Sequence, residues 1–117
     1  MRPTILRMAT RYTLTFYVPP ASLAACKSAI FAAGAGRYPG SGDYTEACFV
    51  SRGTGQFRPG AGANPAIGSK GELESVEEVK VETICVGEAV AREAVKALKE
   101  AHPYEEPAYA VFKMEDF

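Results

Sequence analysis

Two stretches of helical periodicity, each flanked by runs of strand-like alternation, predict an α+β fold of the ferredoxin-like type for this 117-residue chain. The predicted order is βαββαβ, an antiparallel sheet with two helices on one face and a long glycine-rich loop between strands 2 and 3. The length suits one domain. Residues 11–117 are expected to form it, after a flexible N-terminal arm over residues 1–10. That arm carries Arg2 and Arg7 among Ile5, Leu6 and Met8, without the apolar run of a secretory leader.

The first strand is read over 12–18, where Tyr12, Leu14, Phe16 and Val18 alternate with Thr13, Thr15 and Tyr17. Pro19 and Pro20 end it. From Ser22 the apolar spacing changes to threes and fours, with Leu23, Cys26, Ile30 and Ala33 on one stripe, so a helix is expected up to Gly34 or Gly36. A short second strand is read over 47–51 and is expected to stop at Gly53. Val76, Val79, Val81, Ile84 and Val86 mark the third strand, broken by Gly87. Ala91, Ala94, Val95 and Leu98 then repeat at helical spacing until His102-Pro103, where a helix must stop. Residues 108–114 give the fourth strand. A sheet with helices on one face leaves its other face, with Thr13, Thr15 and Tyr17, to be made polar or covered by another subunit, and self-association is the expected solution.

Composition narrows the function by exclusion. Thirteen Lys plus Arg balance fourteen Asp plus Glu, which lacks the basic excess that binding to a phosphate backbone draws on, so no nucleic-acid partner is expected. No apolar run has the length of a membrane span. Three cysteines, Cys26, Cys48 and Cys85, are an odd, widely spaced set that forms neither a disulfide framework nor a CxxC pair, and a cytoplasmic, reducing location is expected. Glu72, Glu74, Glu77, Glu78 and Glu82 are read as a solvated acidic face.

Two segments carry potential chemistry. Ten of the eleven glycines fall between Gly34 and Gly71, and the run beginning Gly53-Thr54-Gly55-Gln56-Phe57-Arg58-Pro59 has backbone amides that can approach an anion closely, with Arg58 at hand. The same glycines also suit a loop that needs positive φ and is anchored by Phe57 and Ile67. The second segment, His102-Pro103-Tyr104-Glu105-Glu106-Pro107, holds the sole histidine beside two carboxylates and a phenol. Imidazole and carboxylate suit a divalent metal, with His102 and Glu106 as ligands and Cys48, Asp43 or Glu46 to complete the set. The alternative is a histidine favourably placed at the negative end of a helix, with Glu105 and Glu106 solvated. Cys48 with His102 would make a nucleophile and base only if the fold brought them together.

The His102 to Pro107 segment resembles the HPYxxP motif of CutA-type divalent-cation-tolerance proteins. The glycine-rich run through Gly60-Ala61-Gly62-Ala63-Asn64-Pro65, together with Gly34-Ala35-Gly36, Cys48-Phe49 and the His-Pro-Tyr-Glu-Glu segment in that order, resembles the inserted domain of the NIF-three-like proteins, also called YqfO-type or dinuclear-metal-centre proteins. The resemblance runs from about Tyr12 to Met114. It implies a CutA-like or PII-like fold, commonly trimeric, as a free-standing version of a domain otherwise inserted in a larger protein. The dinuclear centre of those proteins is built from several histidines and carboxylates in the flanking domain, so a chain with one histidine is not expected to carry it or the associated hydrolase activity.

The function expected from these readings is a non-catalytic homotrimeric binding or regulatory module. The glycine-rich loop and the segment after the second helix would converge near a subunit interface on a small anion or a divalent metal, with Cys48, Gly53, Gly55, Phe57, Arg58, His102, Tyr104, Glu105 and Glu106 as candidate contacts. A ligand-free domain that docks an unidentified protein partner is the alternative, and a small enzyme using Cys48 and His102 is a third reading.

Overall fold

A computed structural model describes residues 9–117, so all but the last two residues of the expected arm lie outside the described residues. The chain runs β1 (Arg11–Val18), a 3-10 turn (Pro20–Ser22), α1 (Leu23–Ala32), β2 (Cys48–Phe57), β3 (Glu74–Val86), α2 (Glu88–Ala101) and β4 (Tyr109–Met114). The strands form one antiparallel sheet in the order β2-β3-β1-β4. This is the predicted ferredoxin-like arrangement.

The core follows from the alternation in β1. Leu14, Phe16 and Val18 meet Val79, Val81 and Cys85 of β3 with Cys26 and Ile30 of α1 and Ala91, Ala94 and Leu98 of α2, all of them buried. Both helices lie over β1 and β3. Small residues on α2, Ala91 and Ala94, let it approach the sheet closely. The opposite face of the sheet carries Tyr17, Phe49 and Phe112, all exposed. Around Thr13, Thr15 and Tyr17 this face forms an open groove of about 430 Å³ against Ala110 and Phe112 of β4.

The second strand differs from expectation. It does not stop at Gly53 but runs four pairs further, the whole ladder extending from Cys48 opposite Thr83 to Phe57 opposite Glu74. Glycines weaken a strand that must stand alone, yet here the acidic run of β3 pairs with them residue for residue, and Arg52 reaches Glu77 at 2.6 Å across the pair. β1 pairs only with Val79–Val86, so the stretch beyond it is a two-stranded ribbon that projects from the sheet. The molecule measures 56 × 24 × 23 Å as a result. The glycine-rich region is therefore two loops, 33–47 and 58–73, with a strand between them.

Gly36 fixes the first of these loops. Its N–H donates to the Ile84 carbonyl at 2.7 Å and its carbonyl accepts from the Ala47 N–H at 3.0 Å, which delivers the chain to the start of β2. Its φ is +80°, and a Cβ there would sit 2.8 Å from the Ala47 nitrogen. Replacing Gly36 with Ala should destabilise the fold by about 1–3 kcal/mol through backbone strain and that clash. Phe16→Ala should cost about 3–5 kcal/mol, since the ring is fully buried. Urea denaturation of both variants checks the two figures.

Candidate functional site

The site is built where α2 ends. α2 cannot continue past Pro103, so the chain turns at His102, whose backbone is extended (φ −73°, ψ 138°) and whose N–H still closes the last turn on Leu98 at 2.8 Å. The His102 ring is thereby carried into the end of the sheet, where it is 6% exposed. Its Nε2 lies 2.7 Å from the Tyr17 carbonyl, and its Nδ1 accepts the Tyr104 N–H at 3.1 Å. Because a backbone N–H can only donate, Nδ1 is the acceptor and Nε2 must carry the proton it gives to Tyr17. Tyr17 donates its own N–H to Ala108 at 3.2 Å, so the imidazole occupies the next rung of the β1–β4 ladder.

Both ring nitrogens are spent inside the chain, so the arrangement does not fit the expected metal pair of His102 and Glu106, and Glu106 is exposed. Among the described residues no group of three or more His, Cys, Asp or Glu side chains is placed to hold a metal ion. The expected completing ligands lie elsewhere. Asp43 and Glu46 belong to the 33–47 loop at the far end of β3, and Cys48 opposes Thr83, whereas the His102 ring lies against Tyr17, which opposes Lys80. That offset of three residues is about 10 Å along the strand, so Cys48 and His102 are not a nucleophile and base. Cys26 and Cys85 are fully buried, and desolvation pushes both thiols up, Cys85 to about 11, which suppresses the reactive thiolate.

What the turn does present is Tyr104. Its ring stacks obliquely on His102, with centroids 4.9 Å apart, and on Phe57 at the end of β2, 6.1 Å away. The next residue, Glu105, accepts the Asn64 N–H at 3.0 Å, and Arg58 holds the second loop together by donating to the Gly71 carbonyl at 2.9 Å. The two segments singled out in the sequence therefore meet within one chain: ribbon and 58–73 loop on one side, the 102–107 turn on the other. Phe57, Tyr104 and Glu105 make the contacts of this joint, whereas Arg58 bonds within its own loop and Glu106 is exposed. Gly53 lies further along the ladder, and Cys48 is not part of the joint.

Two further residues shape the joint. Glu78, read in the sequence as one of a solvated run, is half-buried, and its side chain lies across Gly55, where a Cβ would overlap its carboxylate. Gly55 thus serves by lacking a side chain rather than as an anion cradle. Asn64 was hidden in a loop of low complexity, and only its backbone takes part. The Tyr104 hydroxyl is buried and has no hydrogen bond of good geometry among the described residues. Desolvation first, then the negative charge of Glu78 and the approach of the phenol hydrogen to that carboxylate, push its pKa up to about 12. The phenol therefore stays protonated and remains a hydrogen-bond donor.

Comparison with known proteins agrees with this architecture. No family model matches the chain. A Halalkalibacterium halodurans protein named GTP cyclohydrolase 1 type 2 homolog is 44% identical over 103 residues, which are 88% of this chain and 27% of that protein. The protein of the same name from Mycobacterium tuberculosis is 45% identical over 98 residues, 84% of this chain and 25% of its own length. The chain spans about a quarter of the relatives it matches. Among solved structures, a Bacillus cereus protein related to NIF3 superposes with a TM-score of 0.76 at 36% identity, over 92% of this chain and 26% of that one. The divalent ion tolerance protein CutA1 from Ehrlichia chaffeensis (TM-score 0.60, 12% identity, 94% and 86% of the two chains) and GlnK from Bacillus subtilis (0.57, 15%, 90% and 85%) share the fold. The expected likeness to CutA and PII-like folds is thus seen over nearly the whole chain.

The raised Tyr104 pKa has a measurable sign. In the unfolded chain a tyrosine ionises near 10, whereas the folded protein holds this proton to about 12. The contribution to stability is complete below pH 10 and is lost as the pH climbs towards 12, because the unfolded chain releases its proton first. A tyrosinate absorbance titration should show one late-titrating group that disappears in Tyr104→Phe, and that variant should unfold with a shallower loss of stability between those pH values.

Proposed function

We propose that this chain is a non-catalytic binding and regulatory module, the counterpart of the inserted segment of NIF-three-like proteins, which self-associates and takes a small ligand at the joint between ribbon and turn. The observation that carries the reading is the Tyr104 hydroxyl, a buried donor beside the Glu78 carboxylate but without a hydrogen bond of good geometry, at the point where two segments of unusual composition meet. Buried polar groups are nearly always satisfied, and a donor held beside an acceptor in poor geometry leaves room for a small molecule between the two.

Of the two ligand classes expected, the small anion is the better fit. The joint offers a neutral phenol as donor and the Glu78 carboxylate as acceptor, with the Arg58 guanidinium on the adjoining loop. A partly protonated oxyanion such as phosphate matches both, accepting from Tyr104 and donating its own hydroxyl to Glu78. The divalent metal is set aside because the His102 nitrogens are spent. The cyclohydrolase activity in the relatives' name is not carried over, since this chain matches about a quarter of their length.

Self-association follows from the uncovered sheet face. Tyr17, Phe49 and Phe112 are 39%, 66% and 59% exposed, a concentration of aromatic surface that a monomer rarely leaves in water. We propose a homotrimer joined through this face, in keeping with a CutA-like or PII-like module, and such packing would deepen a joint that is shallow in one chain. Neither the groove around Thr13, Thr15 and Tyr17 nor an open groove between α2 and β4 is lined by Phe57, Glu78 or Tyr104.

Titration calorimetry with inorganic phosphate, and separately with zinc and magnesium ions, tests the ligand. Phosphate should bind and Tyr104→Phe should weaken it by about tenfold, the worth of one good hydrogen bond to a charged group. Metal binding that is lost in His102→Gln, or no phosphate binding at all, would remove the proposal. Sedimentation equilibrium should give the mass of three chains, falling to one in Phe112→Glu.

A further inference from the structure

We propose that Arg11, at the head of β1, is the centre of a second oxyanion site, which takes a carboxylate or phosphate group on the Nε–Nη2 edge of its guanidinium. The Arg11 side chain is only 15% exposed, and its one ion pair among the described residues runs from Nη1 to the Asp116 carboxylate at 3.4 Å. Its Nε and Nη2 are buried and have no hydrogen-bond partner among the described residues. A buried donor left in that state calls for a partner.

The strand places the cation where it has no other outlet. The alternation that buries Leu14 and Phe16 turns Arg11 the other way, onto the sheet face of Thr13, Thr15 and Tyr17. Register sets Val86 of β3 on one side of it and Met114 of β4 on the other, both half-buried. The Val86 side chain offers no acceptor and the Met114 thioether a weak one. In such surroundings a charge-assisted hydrogen bond is strong, and its absence is costly. Asp116 does not meet the need, because it approaches the nitrogen on the opposite side and leaves the Nε–Nη2 edge bare.

The guanidinium selects the ligand class. Nε–H and the neighbouring Nη2–H lie parallel, spaced for two oxygens of one carboxylate or phosphate. The edge has donors alone, so a metal ion or other cation has no place on it. An incoming oxyanion competes with Asp116, an exposed side chain held by one long ion pair. The site is separate from the joint at Tyr104: His102 bonds Tyr17 at the other end of β1, about 20 Å along the strand from Arg11.

One ligand chemistry here has two sources. A free small oxyanion is the first. A carboxylate of a second copy is the other, and that source alone rests on the reading that chains join through this sheet face.

The Nε–H resonance of Arg11, followed by NMR in the full chain and assigned by its loss in Arg11→Lys, tests the proposal against exposed Arg37 as reference. A free oxyanion moves it downfield to saturation when acetate or inorganic phosphate is added to single chains, while chloride at equal ionic strength does not. A carboxylate of a second copy holds it downfield in the assembled protein with nothing added, and dilution to single chains returns it. Acetate binding followed on the Tyr12 and Val86 amides should weaken at least about tenfold in Arg11→Lys, which keeps the charge and loses the fork. Tyr104→Phe should leave the response intact. An Arg11 resonance at the Arg37 position both in single chains with excess acetate and in the assembled protein overturns the proposal. So does one that follows chloride as it follows acetate, or whose response vanishes in Tyr104→Phe. Sedimentation equilibrium of the same samples keeps the two readings apart. An assembly with Arg11 unmoved removes this inference and keeps the oligomer, whereas single chains that take acetate at Arg11 do the reverse.

Discussion

The imidazole of His102 holds the functional end of this molecule together. It stands in the β1–β4 ladder where a backbone group would otherwise be, gives one proton to Tyr17 and takes one from the N–H of Tyr104. A buried ring with both nitrogens satisfied is rigid, whereas either nitrogen left unpaired would cost about 1–3 kcal/mol. The turn after α2 is therefore fixed in place, and with it the phenol that faces the ribbon. The histidine's chemistry is used up in positioning, and the exposed chemistry of the joint passes to its neighbours.

The ribbon is the other half of that construction. β2 and β3 outrun β1, so their far ends have no helix beneath them and no core to bury. They are held by their own ladder, by the Arg52–Glu77 contact and by the turn: Phe57 packs against Tyr104 and Asn64 bonds Glu105. Surface ion pairs contribute little, so the packing of Phe57 on Tyr104 is the contact that ties ribbon to body. Any ligand at this joint would report directly on the ribbon's position, which is how a small binding module can signal.

Much of the fold was legible in the sequence because its elements have strong periods. Tyr12 to Val18 alternates cleanly, and α2 shows one apolar stripe broken sharply at Pro103. The second half of β2 was not legible, because Gly53-Thr54-Gly55-Gln56 has neither alternation nor β-branched density. It is a strand through pairing with β3, a tertiary cause that local pattern does not carry. At the site, the glycine-rich loop and the His102 to Glu106 segment were expected to converge near a subunit interface, and the contacts seen, Asn64 with Glu105 and Phe57 with Tyr104, lie within one chain. The metal role of His102 was not sustained, since the partners that consume its nitrogens are backbone groups invisible to residue type. Glu78 was missed because it sits in a run of acids, and what distinguishes it is the bare Gly55 across the ribbon.

The protonation of the His102 ring tests the account most directly. A long-range proton–nitrogen correlation spectrum of the imidazole at neutral pH distinguishes the two tautomers and any metal-bound form. The structure predicts a single species with the proton on Nε2 and an unprotonated, hydrogen-bonded Nδ1, unchanged when zinc is added. A proton on Nδ1, or a ring nitrogen whose resonance shifts with zinc, would contradict the brace and return His102 to the list of ligands.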